Sequence, residues 1–104
     1  AKIYLPKRTY SLASEKQIQF QKVSIRNTKT RWGSCSHKNN ISLSLHLMKL
    51  PYELIDYVIL HELAHILVKN HSKKFWETLE KICPNSKELD KKLKNYDLIN
   101  FYFE

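Results

Sequence analysis

Two histidines and a glutamate form the pattern His-Glu-x-x-His at His61, Glu62 and His65. On a helix, residues four apart lie one above the other, so both imidazoles can bind one metal ion. Glu62 is displaced by about 100° around the helix axis from His61. There its carboxylate can act on a water molecule without binding the metal itself. The pattern is typical of zinc metalloproteases, in which the carboxylate is the general base.

The surrounding sequence favours a functional explanation for these polar residues. From Val58 to Leu67, every residue outside the motif is apolar. Burying two imidazoles and a carboxylate in such a helix is costly unless they are bound or paired. The alternative interpretation is that the motif is structural, with the two histidines and the glutamate buried in the core and satisfied by hydrogen bonds.

A catalytic zinc site has three protein ligands and one position for water. His71 follows His65 after five intervening residues and is the first candidate for the third ligand. We expect Lys69-Asn70 to end the helix, because Asn readily adopts the left-handed conformation found at helix ends, and to bring His71 back toward the metal. Some zincins use a glutamate instead, which makes Glu77 and Glu80 the alternatives.

The helix that carries the motif is predicted to begin at Pro51 and to end near Val68, since Pro is favoured at the first helical position. Its apolar residues cover nearly the whole circumference, which is typical of a helix buried on most sides. Two shorter helices are expected after it, capped by Ser72 and Ser86. Their predicted inner faces consist of Phe75, Trp76, Leu79, Ile82 and Cys83 in the first and of Leu89 and Leu93 in the second.

Short strands are predicted before this helix. Residues 18–26 form a strand with a bulge or break, because their apolar positions change parity. Residues 30–36 form a second strand, in which Gly33 indicates a bulge or close backbone approach, or room for a neighbouring side chain. A hairpin turn at 37–40 leads to a third strand. In that strand the core-facing residues are Ile41, Leu43, Leu45 and Leu47, and the opposite face carries Ser42, Ser44 and His46.

The two ends of the chain have a weaker periodicity of apolar and polar residues. Residues 1–16, interrupted by Pro6, are expected to form an extended or short helical lead-in. Residues 98–103 are strongly apolar, so we expect them to pack on the core or to pair with another chain.

Length and composition indicate one globular domain spanning residues 1–104. Of its 104 residues, 42% are hydrophobic, yet no apolar run is long enough for a membrane span, and Ala1 to Pro6 lack the apolar region of a signal peptide. The two cysteines, Cys35 and Cys83, form no disulfide framework, which favours reduced thiols and a cytoplasmic location.

The net charge of +8 comes from 18 basic and 10 acidic residues. A basic surface attracts nucleic acid or acidic partners. Most of the basic residues are lysines, which lack the bidentate geometry of arginine, so a solubilising surface is the simpler explanation. Nucleic acid is kept as an unproven partner.

Several motifs together resemble the YgjP-like metallopeptidases, which are related to the SprT and Wss1 zincin proteases. The resemblance covers roughly residues 25–95 and rests on Arg31-Trp32-Gly33-Ser34-Cys35-Ser36, Tyr57-Val58-Ile59-Leu60-His61-Glu62-Leu63-Ala64-His65, Asn70-His71-Ser72 and Phe75-Trp76. It implies an α+β, zincin-like fold. In this fold a small antiparallel sheet of about three strands packs on the active-site helix, which two shorter helices follow. It also implies that the chain is the C-terminal catalytic part of a longer protein.

The same resemblance implies a Zn²⁺ site of His61, His65 and His71 with Glu62 as base. The function predicted from the residues is metal-assisted hydrolysis of peptide bonds in a peptide or protein substrate. The alternatives are another metal-dependent hydrolase and a non-catalytic zinc or nucleic-acid-binding module tied to DNA–protein crosslink processing. A fourth protein ligand, such as Cys35 or His37, would indicate a structural site. Three weak candidates could stabilise an oxyanion: Tyr57, for which a core aromatic is the preferred interpretation, Arg31 and His46.

Overall fold

The computed structural model describes residues 3–28 and 31–96 and the backbone of residues 102–103. This part of the chain contains helices α1–α4 and strands β1–β4. Their order is α1 (Tyr4–Glu15), β1 (Lys22–Arg26), β2 (Arg31–Cys35), β3 (Asn40–Ser44), α2 (Tyr52–Leu67), α3 (Lys73–Ile82), α4 (Ser86–Lys94) and β4 (Tyr102–Phe103). Within these residues, none of the helices has the length and apolar character needed to cross a membrane.

The lead-in is a full helix, α1, of 12 residues. Pro6 is tolerated because it lies in the first turn, where a backbone N–H has no acceptor within the helix. Leu5 and Leu12 are buried. The guanidinium of Arg8 donates two hydrogen bonds to the carboxylate of Asp56 on α2, at 2.8 and 2.7 Å. This bidentate pair fixes α1 against α2.

The sheet has the order β1-β3-β2-β4. Strands β2 and β3 form the predicted antiparallel hairpin, with Asn39 in the turn at φ 64°. Strand β3 lies between β1 and β2 in the sheet. It runs parallel to β1, and β4 runs parallel to β2. The α+β class is therefore confirmed, but the sheet is mixed, and the expectation of a purely antiparallel sheet was wrong.

Two strand boundaries differ from the sequence expectation. Strand β1 begins only at Lys22, so the break predicted in residues 18–26 falls near Gln21 and Lys22, and the buried Ile18 precedes the strand. Strand β3 ends at Ser44, whose hydroxyl accepts a hydrogen bond from the backbone N–H of His46 and starts a 3₁₀ helix, Leu45–Lys49. Leu47 still reaches the core from that turn.

Helix α2 is the centre of the core, as predicted from its apolar circumference, with α1, α3, β2 and α4 packed around it. Phe75 and Leu79 of α3 and Leu93 of α4 are buried against it. Ser72 precedes α3, but its side chain makes no capping hydrogen bond. The N-cap of α4 is Asn85 rather than Ser86, which is buried as the first helical residue.

The C-terminal residues are described only in part. The backbone of β4 pairs with β2, placing Tyr102 beside Arg31 and Phe103 beside Gly33. The expected packing of residues 98–101 lies outside the described residues.

Candidate metal centre

Helix α2 places three polar side chains in the core. His61, Glu62 and His65 are all at most 3% exposed. The two imidazole rings lie one helical turn apart, with their centroids separated by 5.2 Å. This is the arrangement that the four-residue spacing predicts.

His71 reaches the same point from outside the helix. Its Nε2 atom lies 3.0 Å from Nε2 of His65 and 3.3 Å from Nε2 of His61. The reversal begins at Val68, which is extended at φ −139° and ψ 111°. Asn70 does not adopt a positive φ, so the predicted left-handed turn at Asn70 was wrong. A β-branched residue such as Val favours the extended conformation that ends the helix here.

The two separations that involve His71 Nε2 are close to those expected at a tetrahedral metal ion. With Zn–N bonds of about 2.0–2.1 Å, two ligand nitrogens of a tetrahedron lie about 3.3 Å apart. Among the described His, Cys, Asp and Glu side chains, these three imidazoles form the one group of three or more that could hold a metal. The side chains considered as alternative ligands from the sequence are not in that group: Cys35, His37, Glu77 and Glu80.

The protonation of the histidines also suits metal binding. His65 Nδ1 lies 3.1 Å from the backbone carbonyl oxygen of Val68. If Nδ1 donates its proton there, Nε2 keeps its lone pair for a metal. Burial, with repulsion from His65 and His71, lowers the pKa of His61 to about 2. Burial likewise lowers the pKa of His65. Both imidazoles are therefore neutral near pH 7, the state that binds metals.

Two aromatic rings of α3 hold the imidazoles in place. Phe75, which is fully buried, stacks on His65 with ring centroids 4.3 Å apart and an interplanar angle of 23°. Trp76 stacks on His71 at 5.8 Å and 20°. Trp76 was predicted to face the core but is 42% exposed. The amphipathic pattern of α3 could not distinguish a core position from one that covers His71.

Gly33 makes room for the Glu62 side chain. A Cβ atom on Gly33 would lie 3.1 Å from Cγ of Glu62 and 3.1 Å from the backbone oxygen of Ser42. The register of β2 with β4 also shifts between Arg31 and Gly33. Both interpretations of this glycine, a bulge and space for a neighbour, are therefore correct. As a result, β2 lies directly against the buried carboxylate.

A lysine that the sequence analysis did not single out joins the segment of His71 to the sheet. The ammonium of Lys69 donates to the backbone oxygen of Ser36 at 3.2 Å and to the side-chain oxygen of Asn39. Both acceptors lie in or beside the β2–β3 turn. Lys69 therefore connects the end of α2 to the hairpin. This role depends on tertiary contacts, so the sequence alone did not indicate it.

The three oxyanion candidates have contacts outside the histidine cluster. The buried Tyr57 donates a hydrogen bond to Asp90 of α4 at 3.1 Å, which confirms its interpretation as a core aromatic. Burial and the Asp90 carboxylate raise its pKa. His46 Nε2 lies 3.0 Å from the side-chain oxygen of Asn27. Arg31 lines a cavity on the sheet with Arg26.

Comparison with known proteins connects this geometry to a family. No protein with a curated description matches the chain. The crystal structure of the metallopeptidase zymogen of Pyrococcus abyssi abylysin matches with a TM-score of 0.71 and 27% identity, covering 93% of this chain and 95% of that one. The metallopeptidase zymogen of Methanocaldococcus jannaschii jannalysin has the same fold, with a TM-score of 0.74, 23% identity and coverage of 88% and 95%.

These neighbours confirm the zincin-like fold, whereas the relation to the SprT and Wss1 proteases stays a prediction. A family model for the YgjP-like metallopeptidase domain matches residues 1–96. A metallopeptidase acts on peptides or proteins with the help of a metal ion. Because that match covers most of its length, the chain belongs to the YgjP-like metallopeptidase family.

Proposed function

We propose that this chain is a zinc-dependent endopeptidase, with His61, His65 and His71 as metal ligands and Glu62 as general base. The observation that carries the proposal is the convergence of three imidazole Nε2 atoms, 3.0 and 3.3 Å apart at the two contacts of His71, beside a fully buried carboxylate. Three neutral nitrogen ligands suit zinc and leave one position for water, as catalytic zinc sites require.

Each side chain then has a distinct task. Zinc bound there would lower the pKa of a water molecule to about 7 and polarise the scissile carbonyl. Glu62 would take up a proton from an attacking water molecule and pass it to the leaving amine. The carbonyl of Val68 orients His65, and the aromatic rings of Phe75 and Trp76 restrict the imidazoles to their positions. Such restriction keeps the reacting groups at productive distances.

The thiols support a cytoplasmic location within this proposal. Cys35 and Cys83 are both free rather than joined. Free thiols are usual in reducing compartments, where disulfides are rare. We also propose that residues 1–104 act as one domain, because helices from both halves of the chain pack around α2.

The substitution E62Q tests the proposal most directly. It preserves the shape of the side chain but removes the base, so we expect zinc content to be retained and hydrolysis of a fluorogenic peptide to fall about 10²- to 10⁴-fold. Zinc content would be measured by elemental analysis and cleavage by a fluorogenic peptide assay. The matched control is E77Q on the exposed face of α3, which should change neither quantity. Cleavage by E62Q at the wild-type rate would exclude Glu62 as the base.

A further inference from the structure

The segment that carries His71 is held by side chains rather than by its backbone. Val68 donates the last backbone hydrogen bond of α2, to the carbonyl oxygen of Ala64 at 2.9 Å. Within the described part of the chain, Lys69, Asn70 and His71 take part in no hydrogen bond between backbone groups. A segment without such bonds opens easily unless its side chains fix it. The position of the His71 ring therefore depends on side-chain contacts.

Lys69 supplies the contact that joins this segment to the sheet. Its ammonium donates to the backbone oxygen of Ser36 at 3.2 Å and to Oδ1 of Asn39. Ser36 directly follows β2, and Asn39 directly precedes β3. The stacking of His71 on Trp76 attaches the same segment to α3. We call the two hydrogen bonds of the ammonium the Lys69 tether.

The acceptors of the tether belong to a turn that is closed by its own hydrogen bonds. The backbone N–H of Asn39 donates to the oxygen of Ser36, and that of Ser36 donates to the oxygen of Asn40, both at 3.0 Å. The Ser36 hydroxyl accepts from the backbone N–H groups of Lys38 and Asn40. The oxygen of Asn39 also accepts from the backbone N–H of Gln21, before β1, at 2.9 Å. The turn is therefore a fixed anchor.

The anchored turn continues into the strand that lies against the buried carboxylate. Gly33, three residues before Ser36, leaves room for the Glu62 side chain. We infer that Lys69 is a positioning residue, which holds His71 where its Nε2 atom can complete a metal site beside Glu62. This inference rests on the proposed role of His71 as a ligand. It adds a residue that neither binds the metal nor belongs to the His-Glu-x-x-His motif.

The tether also couples metal binding to the turn. If the contact of Lys69 with the turn raises the affinity of the site for Zn²⁺, bound Zn²⁺ must strengthen that contact by the same factor. The turn should then open less often when zinc is bound. The backbone N–H of Asn39 reports this opening, because its hydrogen bond to Ser36 closes the turn.

The charge of Lys69 acts in the opposite direction from its hydrogen bonds. A positive charge two residues from His71 repels a divalent cation. Removing the ammonium would therefore tighten zinc binding if charge repulsion dominated, and would weaken it if the tether dominated. The sign of the change in zinc affinity distinguishes the two effects.

The test is the affinity of the intact protein for Zn²⁺, measured by competition with a chromophoric chelator. K69M keeps an aliphatic side chain but has no donor, so we expect zinc affinity to fall about 5- to 10-fold, the net value of one hydrogen bond. Unchanged or tighter zinc binding by K69M would overturn the inference. The matched control is K38M, which removes a positive charge from the same turn but leaves the tether intact. It should change zinc affinity by less than about 2-fold, as expected for an exposed charge. A loss equal to that of K69M would overturn the assignment.

The variant N39G tests the other end of the tether. It removes the side-chain acceptor, and glycine readily keeps the φ of 64° found at this position. We expect zinc affinity to fall about 2- to 3-fold, since the Ser36 acceptor remains. K69M/N39G should bind zinc no more weakly than K69M, because both substitutions act on one contact. Losses that multiply would overturn the tether. If K69M does not fold, as judged by circular dichroism, the loss in N39G still decides the question.

Hydrogen exchange at the Asn39 amide, followed by NMR with and without Zn²⁺, gives a result that does not depend on activity. In the wild type, zinc should slow this exchange about 5- to 10-fold, and in K69M it should have no effect. Equal slowing in both proteins would overturn the coupling. The variant H71A separates this inference from the proposed function. If H71A binds zinc as the wild type does, His71 is not a ligand and both fail. If H71A loses zinc affinity and K69M does not, the tether alone fails.

Discussion

The two faces of the sheet hold their polar groups in opposite physical environments. On the inner face, α2 buries His61, Glu62 and His65 almost completely. On the outer face, Arg26 is exposed and Ser24, Ser34 and Ser42 are half-buried. An unbound polar group in a core costs several kcal/mol, whereas an exposed one costs little. The buried groups therefore indicate a function individually, while polar groups at the surface do not.

One strand contributes to both faces. In β2, Gly33 lies against the Glu62 side chain, and the next residue, Ser34, lines a cavity on the outer face of the sheet. Because successive residues of a strand point to opposite faces, a shift of one residue would exchange these two environments. The register of β2 with β3 therefore keeps Gly33, which has no side chain, against the carboxylate.

The largest effect is expected from removing His71, the one exposed residue of the inner site. As the proposed third ligand, His71 would make a direct metal contact, so zinc affinity of H71A should fall at least about 100-fold, since even outer-shell partners are worth 10- to 100-fold. Competition with a chromophoric chelator would measure it. H37A, which removes a histidine on the β2–β3 turn, is the matched control. Unchanged zinc affinity in H71A would exclude His71 as a ligand.

The site could be predicted from the sequence because its signals are local. The His-Glu-x-x-His spacing and the apolar circumference of α2 depend on the helical period alone. Pro51 gave the start of α2 to within one residue, and its end at Leu67 lies one residue before the expected Val68. The sequence predicted either a bulge at Gly33 or room for a neighbouring side chain, and both interpretations apply.

The features that the sequence did not predict depend on distant partners. Helix α1 has a weak pattern of its own and is held in part by Arg8, whose partner Asp56 is 48 positions away. The parallel pairing of β1 with β3 depends on where β3 inserts, which no local pattern encodes. Trp76 occupies an apolar position of α3, yet it covers His71. In each of these cases the local sequence permits more than one structure, and contacts between residues distant in the sequence select the observed one.

A smaller effect is expected from adding one methyl group on the inner face of β2. In G33A, the new Cβ would lie 3.1 Å from Cγ of Glu62 and from the backbone oxygen of Ser42. Overpacking of this kind costs about 1–3 kcal/mol of stability. Displacement of the carboxylate should also lower kcat by about 10- to 100-fold. Chemical denaturation and peptide cleavage, with zinc content measured in parallel, would test both.

S34A is the matched control for G33A, because it changes the adjacent residue on the outer face. We expect its stability to change by less than about 0.5 kcal/mol, as for most surface substitutions, and its kcat to stay at the wild-type value. Equal losses in the two variants would show that β2 as a whole, rather than its inner face, supports the site.

The last predicted effect acts on stability alone and is the pH dependence of the metal-free protein. Burial keeps His61 neutral in the folded state, with its pKa lowered to about 2, whereas the unfolded chain has the ordinary value of about 6.5. Below pH 6.5 the unfolded state therefore binds a proton that the folded state does not, so stability falls as the pH falls. The slope for this residue is about 1.4 kcal/mol per pH unit between pH 6 and the folded pKa. The lowered pKa of His65 adds a loss of the same sign.

Guanidinium denaturation in the presence of a chelator, at pH 7, 6 and 5, would measure this slope. The H61L variant removes the titrating group and keeps an apolar side chain in its place, so its stability should depend less on pH over the same range. R26A, on the outer face of the sheet, is the matched control and should keep the wild-type slope, since it leaves both buried imidazoles in place. If H61L and wild-type protein lost stability equally on acidification, His61 would not be the buried neutral imidazole that distinguishes the inner face from the outer one.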